Sequence, residues 1–242
     1  MLAHRIIPTL LCRGRQLIKG SRFDAWRSVG VATQAARIHQ TRGVDELIIL
    51  DIGATPENRG CDTGMIEELT ADCFMPITVG GGIRVLEDVD GLFRAGADKV
   101  AIGTRVELIR PIAMKWGSQS IVAAVDVKDG TVWTHCGRKN TGYRPNDYAK
   151  MIEVIGAGEI LLTSIDREGT MQGYDLDLVR RVSDAVSIPV IAHGGCSGRK
   201  DMVSAIEAGA SAVAAGALFQ FDDTTPQDCA RHLAANGIEA RV

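Results

Sequence analysis

Eight short segments that are apolar along their whole length, each followed by an amphipathic segment, predict an α/β fold: a single (β/α)8 TIM barrel whose parallel sheet is buried on both faces. Two further observations point the same way. The 242 residues suit one closed barrel, and no Pro/Ser-rich linker or composition shift divides them. The chain also repeats itself: "VGGGIRVLEDVDGLFRAGADKVAIGT" (79–104) aligns with "AHGGCSGRKDMVSAIEAGASAVAAGA" (192–217). Gly81 and Gly194, Gly96 and Gly209, Gly103 and Gly216, and Glu46 and Glu159 all stand 113 positions apart. Solenoid repeats are shorter, so this offset reads as two repeated half-barrels of four βα units each.

The first strand, near 5–11, is the run "RIIPTLL", which stops where Arg13, Gly14 and Arg15 begin a Gly- and basic-rich loop carrying Lys19. A helix near 30–42 leads to the strand near 47–52, "LIILDI", and a helix near 61–73 to the strand near 76–80. The helix near 85–95 and the strand near 99–103 share the repeat with the helix near 199–208 and the strand near 212–216. Between them run a helix near 106–116 and a strand near 121–126, "IVAAVD". A helix near 147–156, a strand near 160–164, a helix near 175–187 and a strand near 189–193 follow. The last helix lies near 226–236. "TGYRPNDY" (141–148) has turn chemistry and follows the fifth strand, a position from which it would cover a site.

Composition excludes several classes. Hydrophobic residues at 45% fill a large core, while a net charge of −3 offers no footprint for nucleic acid or an anionic membrane. Aromatics at 5% are too few for single-strand stacking platforms, and Trp26, Trp116 and Trp133 are scattered as packing residues are. No apolar run reaches the ~18 residues of a membrane span. The N-terminal apolar segment holds Arg5 and Pro8 and lacks a small-residue cleavage site. The six cysteines make no CxxC pair and no Cys/His ligand spacing, as expected of reduced thiols in a cytoplasmic protein without metal or cofactor.

Each half carries a Gly-Gly turn after one strand, Gly81-Gly82 and Gly194-Gly195, and a second small-residue turn, Gly103-Thr104 and Gly216-Ala217. Glycine lets backbone N–H groups approach a ligand, and a helix N-terminus adds partial positive charge. On the C-terminal face of a barrel such turns suit a substrate with a phosphate at each end; the alternative is tight turns without a ligand. At the other end, Arg5, Glu46, Lys99 and Glu159 each precede a strand's apolar run. Two cations and two anions there make either a salt-bridged plug or a gate for a small polar molecule.

These residues together resemble the HisF family, the cyclase subunit of imidazole glycerol phosphate synthase. "DELIILDI", "PITVGGGIR", "AGADKVAIGT", "GAGEILLTSIDREGT", "GYDLDL" and "VSIPVIAHGG" stand in family order, and the resemblance makes residues 1–242 one HisF-like barrel. It implies a HisH-like glutaminase docked on the N-terminal face as a heterodimer, with ammonia passing through the barrel. Arg5, Glu46, Lys99 and Glu159 then match the gate, and Asp45 and Asp98 the partner-facing rim. The resemblance also carries over Lys19, Asp51, Thr104, Thr141, Thr163 and Gly169 as substrate-binding positions.

The chemical end matches less well. The family's acid/base carboxylates end strands 1 and 5; the second matches Asp126, and the first falls on Leu11. An Asn after strand 4 is Gly103, an Asp after strand 6 is Glu168 and a Ser after strand 7 is His193. Asp126 is a base, or an anion that orients a neighbour; His193 is a phosphate ligand or proton shuttle, or a structural histidine. Lys19 meets a substrate phosphate, or is a solvated loop lysine. An intact conduit with an altered mouth is the pattern of a changed ammonia acceptor. "TLLC" and "DREGTMQGYDL" are similar to a HisF-like branch of surface-polysaccharide biosynthesis, which with a sugar amidotransferase converts an N-acetyl group of a nucleotide sugar to an acetamidino group. Three alternatives stand beside it: a histidine-pathway cyclase using another acid, a silent conduit scaffold, and a sugar-phosphate isomerase on the same duplicated half-barrel.

Overall fold

The computed structural model describes residues 3–242. Its strands are β1 (Arg5–Arg13), β2 (Gln16–Ser21), β3 (Asp24–Val31), β4 (Leu47–Asp51), β5 (Ile77–Gly80), β6 (Lys99–Ile102), β7 (Ile121–Lys128), β8 (Thr131–Thr134), β9 (Lys139–Asn140), β10 (Glu159–Ser164), β11 (Val190–His193) and β12 (Ala212–Ala215). Its helices are α1 (Ala32–Thr41), α2 (Thr63–Thr70), α3 (Leu86–Arg94), α4 (Ile109–Trp116), α5 (Pro145–Ile155), α6 (Leu176–Ser183), α7 (Arg199–Glu207), α8 (Ala217–Phe221) and α9 (Pro226–Ala235). Strands β1, β4, β5, β6, β7, β10, β11 and β12 pair in parallel with their neighbours, and β12 returns to β1. The sheet is therefore the closed eight-stranded barrel that the apolar runs predict. No helix among the described residues is long and apolar enough to cross a membrane.

Side chains alternate across a strand, so one set fills the barrel and the other faces the helices. Ile7, Ile48, Ala101, Val122, Leu161, Ile191, Ala212 and Ala214 form the inner cluster. A larger apolar layer around them, from Ile6 and Leu10 to Leu233, packs the helices onto the barrel. Helix starts follow from local chemistry: Asp62 accepts from Met65 N and Asp175 from Leu178 N, each satisfying an orphan donor of the first turn.

The internal repeat is written in hydrogen bonds as well as letters. Asp98 N donates to Ile77 O and Ser211 N to Val190 O, both at 2.9 Å and 113 positions apart. Ala97 N to Leu92 O and Ala210 N to Ala205 O repeat likewise, around Gly96 and Gly209 at φ +97° and +107°.

Two segments depart from the expected order. The sequence predicts a loop after β1 that runs into a helix near 30. It is instead the antiparallel hairpin β2–β3, and α1 starts at Ala32. The hairpin turns at Arg22 and Phe23, whose φ angles of +54° and +59° give the two-residue turn that fits strand twist but normally uses Asn or Gly. After β7, a second extension, β8 and β9, folds back antiparallel. The two extensions occupy equivalent places in the two halves, and Phe23 of one lies against Gly137 of the other.

Candidate active site

The C-terminal ends of the barrel strands open into a cleft. Register sets its polar wall: Asp126 on β7 stands opposite Thr163 on β10, which stands opposite His193 on β11. Thr163 Oγ1 and His193 Nδ1 are 3.1 Å apart and buried. Burial raises the Asp126 pKa to about 7, against the Thr163 hydroxyl, which favours the charged form; the charge of Glu168 adds to the rise. Burial and then the Lys19 charge hold His193 down at about 3, so its imidazole is neutral at physiological pH.

The opposite wall is apolar. Leu11, 2% exposed, lies in the cleft with Leu50 and Ile52, so the strand 1 position carries no acid. Phe23 and Trp26 of the β2–β3 hairpin complete this wall, and Trp26 is 37% exposed there rather than packed away. Trp116 packs on Phe93, and Trp133 Nε1 donates to Lys128 O, as packing residues do.

The first glycine-rich site, Gly81, Gly82, Gly103 and Thr104, lines this cleft. The second, Gly194, Gly195, Gly216 and Ala217, lines a much smaller adjoining cavity with Glu168 and Gly169, and His193 borders both spaces. Lys19 is 2% exposed and not a solvated loop lysine; its Nζ takes the space a side chain at Gly216 would fill and has no hydrogen-bond partner. Burial lowers its pKa against the pull of Glu168, and burial raises that of Glu168 against Lys19.

The paired turns also have a purely backbone reason for glycine. A Cβ on Gly81 would collide with the Asp51 carbonyl, on Gly82 with that of Arg59, on Gly194 with that of Ser164 and on Gly195 with that of Gly173. All four have positive φ. A charged substitution at Gly81 or Gly194 would therefore unsettle the barrel itself. Gly103 has no positive φ, and a Cβ there would lie 3.3 Å from Ala124 O. Gly194→Ala is expected to cost about 2 kcal/mol or more and Gly103→Ala less than about 1, read by denaturant unfolding. Equal losses would remove this distinction.

Asp51 is buried, held by both nitrogens of the Arg59 fork at 2.6 and 2.9 Å and by the N–H groups of Gly53 and Ala54. Arg59 lies in no sequence motif; only the fold brings it to Asp51. Thr104 Oγ1 accepts from His135 N at 3.1 Å, and Cys136 Sγ reaches Ile52 O, so the turn His135–Cys136 covers the mouth. "TGYRPNDY" does not: Thr141 Oγ1 donates to Val132 O, Tyr148 is buried in α5, and neither lines the cleft.

At the opposite end the four expected charges meet in one ring. Arg5 binds Glu46 at 2.6 Å and Glu159 at 3.0 Å, and Lys99 binds Glu46 at 3.2 Å and Glu159 at 3.0 Å. Thr78 adds a 2.8 Å hydrogen bond to Glu46. Burial opposes the Arg5 charge, yet Glu159 and Glu46 outweigh it and its pKa is raised. Asp45 and Asp98 are turned to the backbone, accepting from Ile6 N and Ile77 N.

The duplicated eight-stranded barrel thus opens its cleft at the C-terminal face, where barrels of this fold carry their sites. The profile of the histidine biosynthesis protein family matches residues 5–225. The chain belongs to that family, at the level where the HisF resemblance also lies.

Proposed function

We propose that this protein is the synthase subunit of a glutamine amidotransferase of HisF type, receiving ammonia through the barrel from a HisH-like glutaminase. The acceptor is the N-acetyl group of a nucleotide sugar rather than the histidine-pathway substrate, and a sugar amidotransferase takes part. One observation carries this reading: the two ends of the barrel differ in kind. The Arg5–Glu46–Lys99–Glu159 ring is complete, while at the mouth Asp126 faces Leu11 instead of a second carboxylate. Leucine can neither give nor take a proton, and losing one member of a catalytic unit costs orders of magnitude in rate.

The test is ammonia-driven turnover of the phosphoribulosyl formimino aminoimidazole carboxamide ribonucleotide by the purified chain. The expected result is no turnover above about a thousandth of an ordinary enzyme rate, with glutaminase docking still measurable. Turnover at an ordinary rate would overturn the reading in favour of a histidine-pathway cyclase. A complex that docks glutaminase and passes ammonia, yet binds no phosphorylated ligand at its mouth, would leave only the silent conduit.

A further inference from the structure

We propose that Asp126, Thr163 and His193 form a single acid–base unit with Asp126 as its one carboxylate, and that His193 serves in it as the Nδ1–H tautomer. The proposal rests on the reading that chemistry occurs at this mouth. It does not depend on the acceptor. Its geometry is fixed by the barrel: the three residues sit at one level on three consecutive strands, each directly opposite the next. A threonine hydroxyl holds one proton and accepts others. With Nδ1–H of His193 donating across the 3.1 Å contact, the Thr163 hydroxyl proton is free for Asp126, whose charged form it favours. The reverse tautomer would draw that proton to His193 and leave the carboxylate without its donor.

The arrangement has a direction. A proton arriving from solvent at His193 Nε2 lets the Nδ1 proton pass to Thr163 Oγ1 and the Thr163 proton pass to Asp126. One proton enters and one carboxyl group is protonated; the ring is left as its other tautomer. The same steps run backward when Asp126 has taken a proton from a substrate nitrogen. His193 borders both the main cleft and the smaller cavity, with its Nδ1 on Thr163. Lys19 is the charged group felt by His193. Glu168 acts directly on Asp126, and Cys136 and Tyr148 lie within the field of Asp126.

Thr163 and His193 are positioning residues in this scheme, so the test reads the unit directly. In ¹⁵N-labelled protein without substrate, NMR is expected to find His193 neutral from pH 5 to 9, with its proton on Nδ1 at pH 8 to 9, where Asp126 is charged. In Thr163→Val the Asp126 midpoint is expected to rise by about one pH unit, because its donor is gone, and Thr163→Ser restores it. Should Thr163→Val not fold, His193→Gln with its amide N–H toward Thr163 is expected to hold the Asp126 midpoint where it is in the parent. An Nε2–H tautomer at pH 8 to 9, a charged imidazole at pH 6, or an Asp126 midpoint indifferent to the hydroxyl would each overturn the proposal. None of these readouts uses the acceptor, so an incorrect acceptor leaves them unchanged.

Discussion

Asp126→Asn is expected to remove ammonia-dependent turnover by about a thousandfold, and to make the protein more stable above pH 7. The two effects have one cause. Burial raises this carboxyl from 3.8 to about 7, so the folded chain holds the proton more tightly than the unfolded chain does. That preference contributes fully below about pH 4 and is lost as the pH climbs through 7, where folding must keep a buried negative charge. Asparagine keeps the neutral form at every pH. The variant and parent should therefore unfold alike near pH 4 and diverge steadily up to about pH 8. The difference there is about 2 kcal/mol, below the full linkage value because the carboxyl is partly open to the cleft. Urea titrations at four pH values measure it. A constant difference across the range, or a less stable variant at pH 8, would show that Asp126 is held charged by groups other than those named here.

Glu46→Ala is the second large effect. Glu46 is 2% exposed and accepts from Arg5, Lys99 and Thr78 at once. Its removal leaves two cations sharing Glu159 in a partly buried ring, and breaking such a network from one side costs about 3 kcal/mol. If the ring is a gate, the functional signature is distinct from the loss of stability: glutamine-driven turnover falls by at least about tenfold relative to ammonia-driven turnover. Arg5→Ala should show the same split with a smaller stability cost, because Arg5 is the more exposed partner. Equal loss of both activities would reduce the ring to a plug.

The barrel strands were legible because each is apolar throughout, the mark of a sheet covered on both sides. The hairpins over the mouth were less so. Arg22 and Phe23 of the β2–β3 turn adopt positive φ, and neither is the glycine or asparagine that announces such a turn, whereas Asp129-Gly130 does announce the β7–β8 turn. Asp126 and His193 were readable as strand ends, and the charges of the lower ring as strand starts. Their partners were less so: nothing in the letters couples Arg59 to Asp51, or lifts Trp26 into the cleft. Glycine misled in a different way. Its doublets read as room for a ligand, whereas Gly81, Gly82, Gly194 and Gly195 are required first by neighbouring backbone.

The duplication that builds the barrel gives its mouth two matching pairs of glycine turns, which by themselves cannot give it a direction. The walls can. Strands β7, β10 and β11 present Asp126, Thr163 and His193, while β1 and β4 present Leu11 and Leu50. The approximate twofold symmetry of the frame is broken by a handful of side chains, and those side chains give the mouth one polar and one apolar flank.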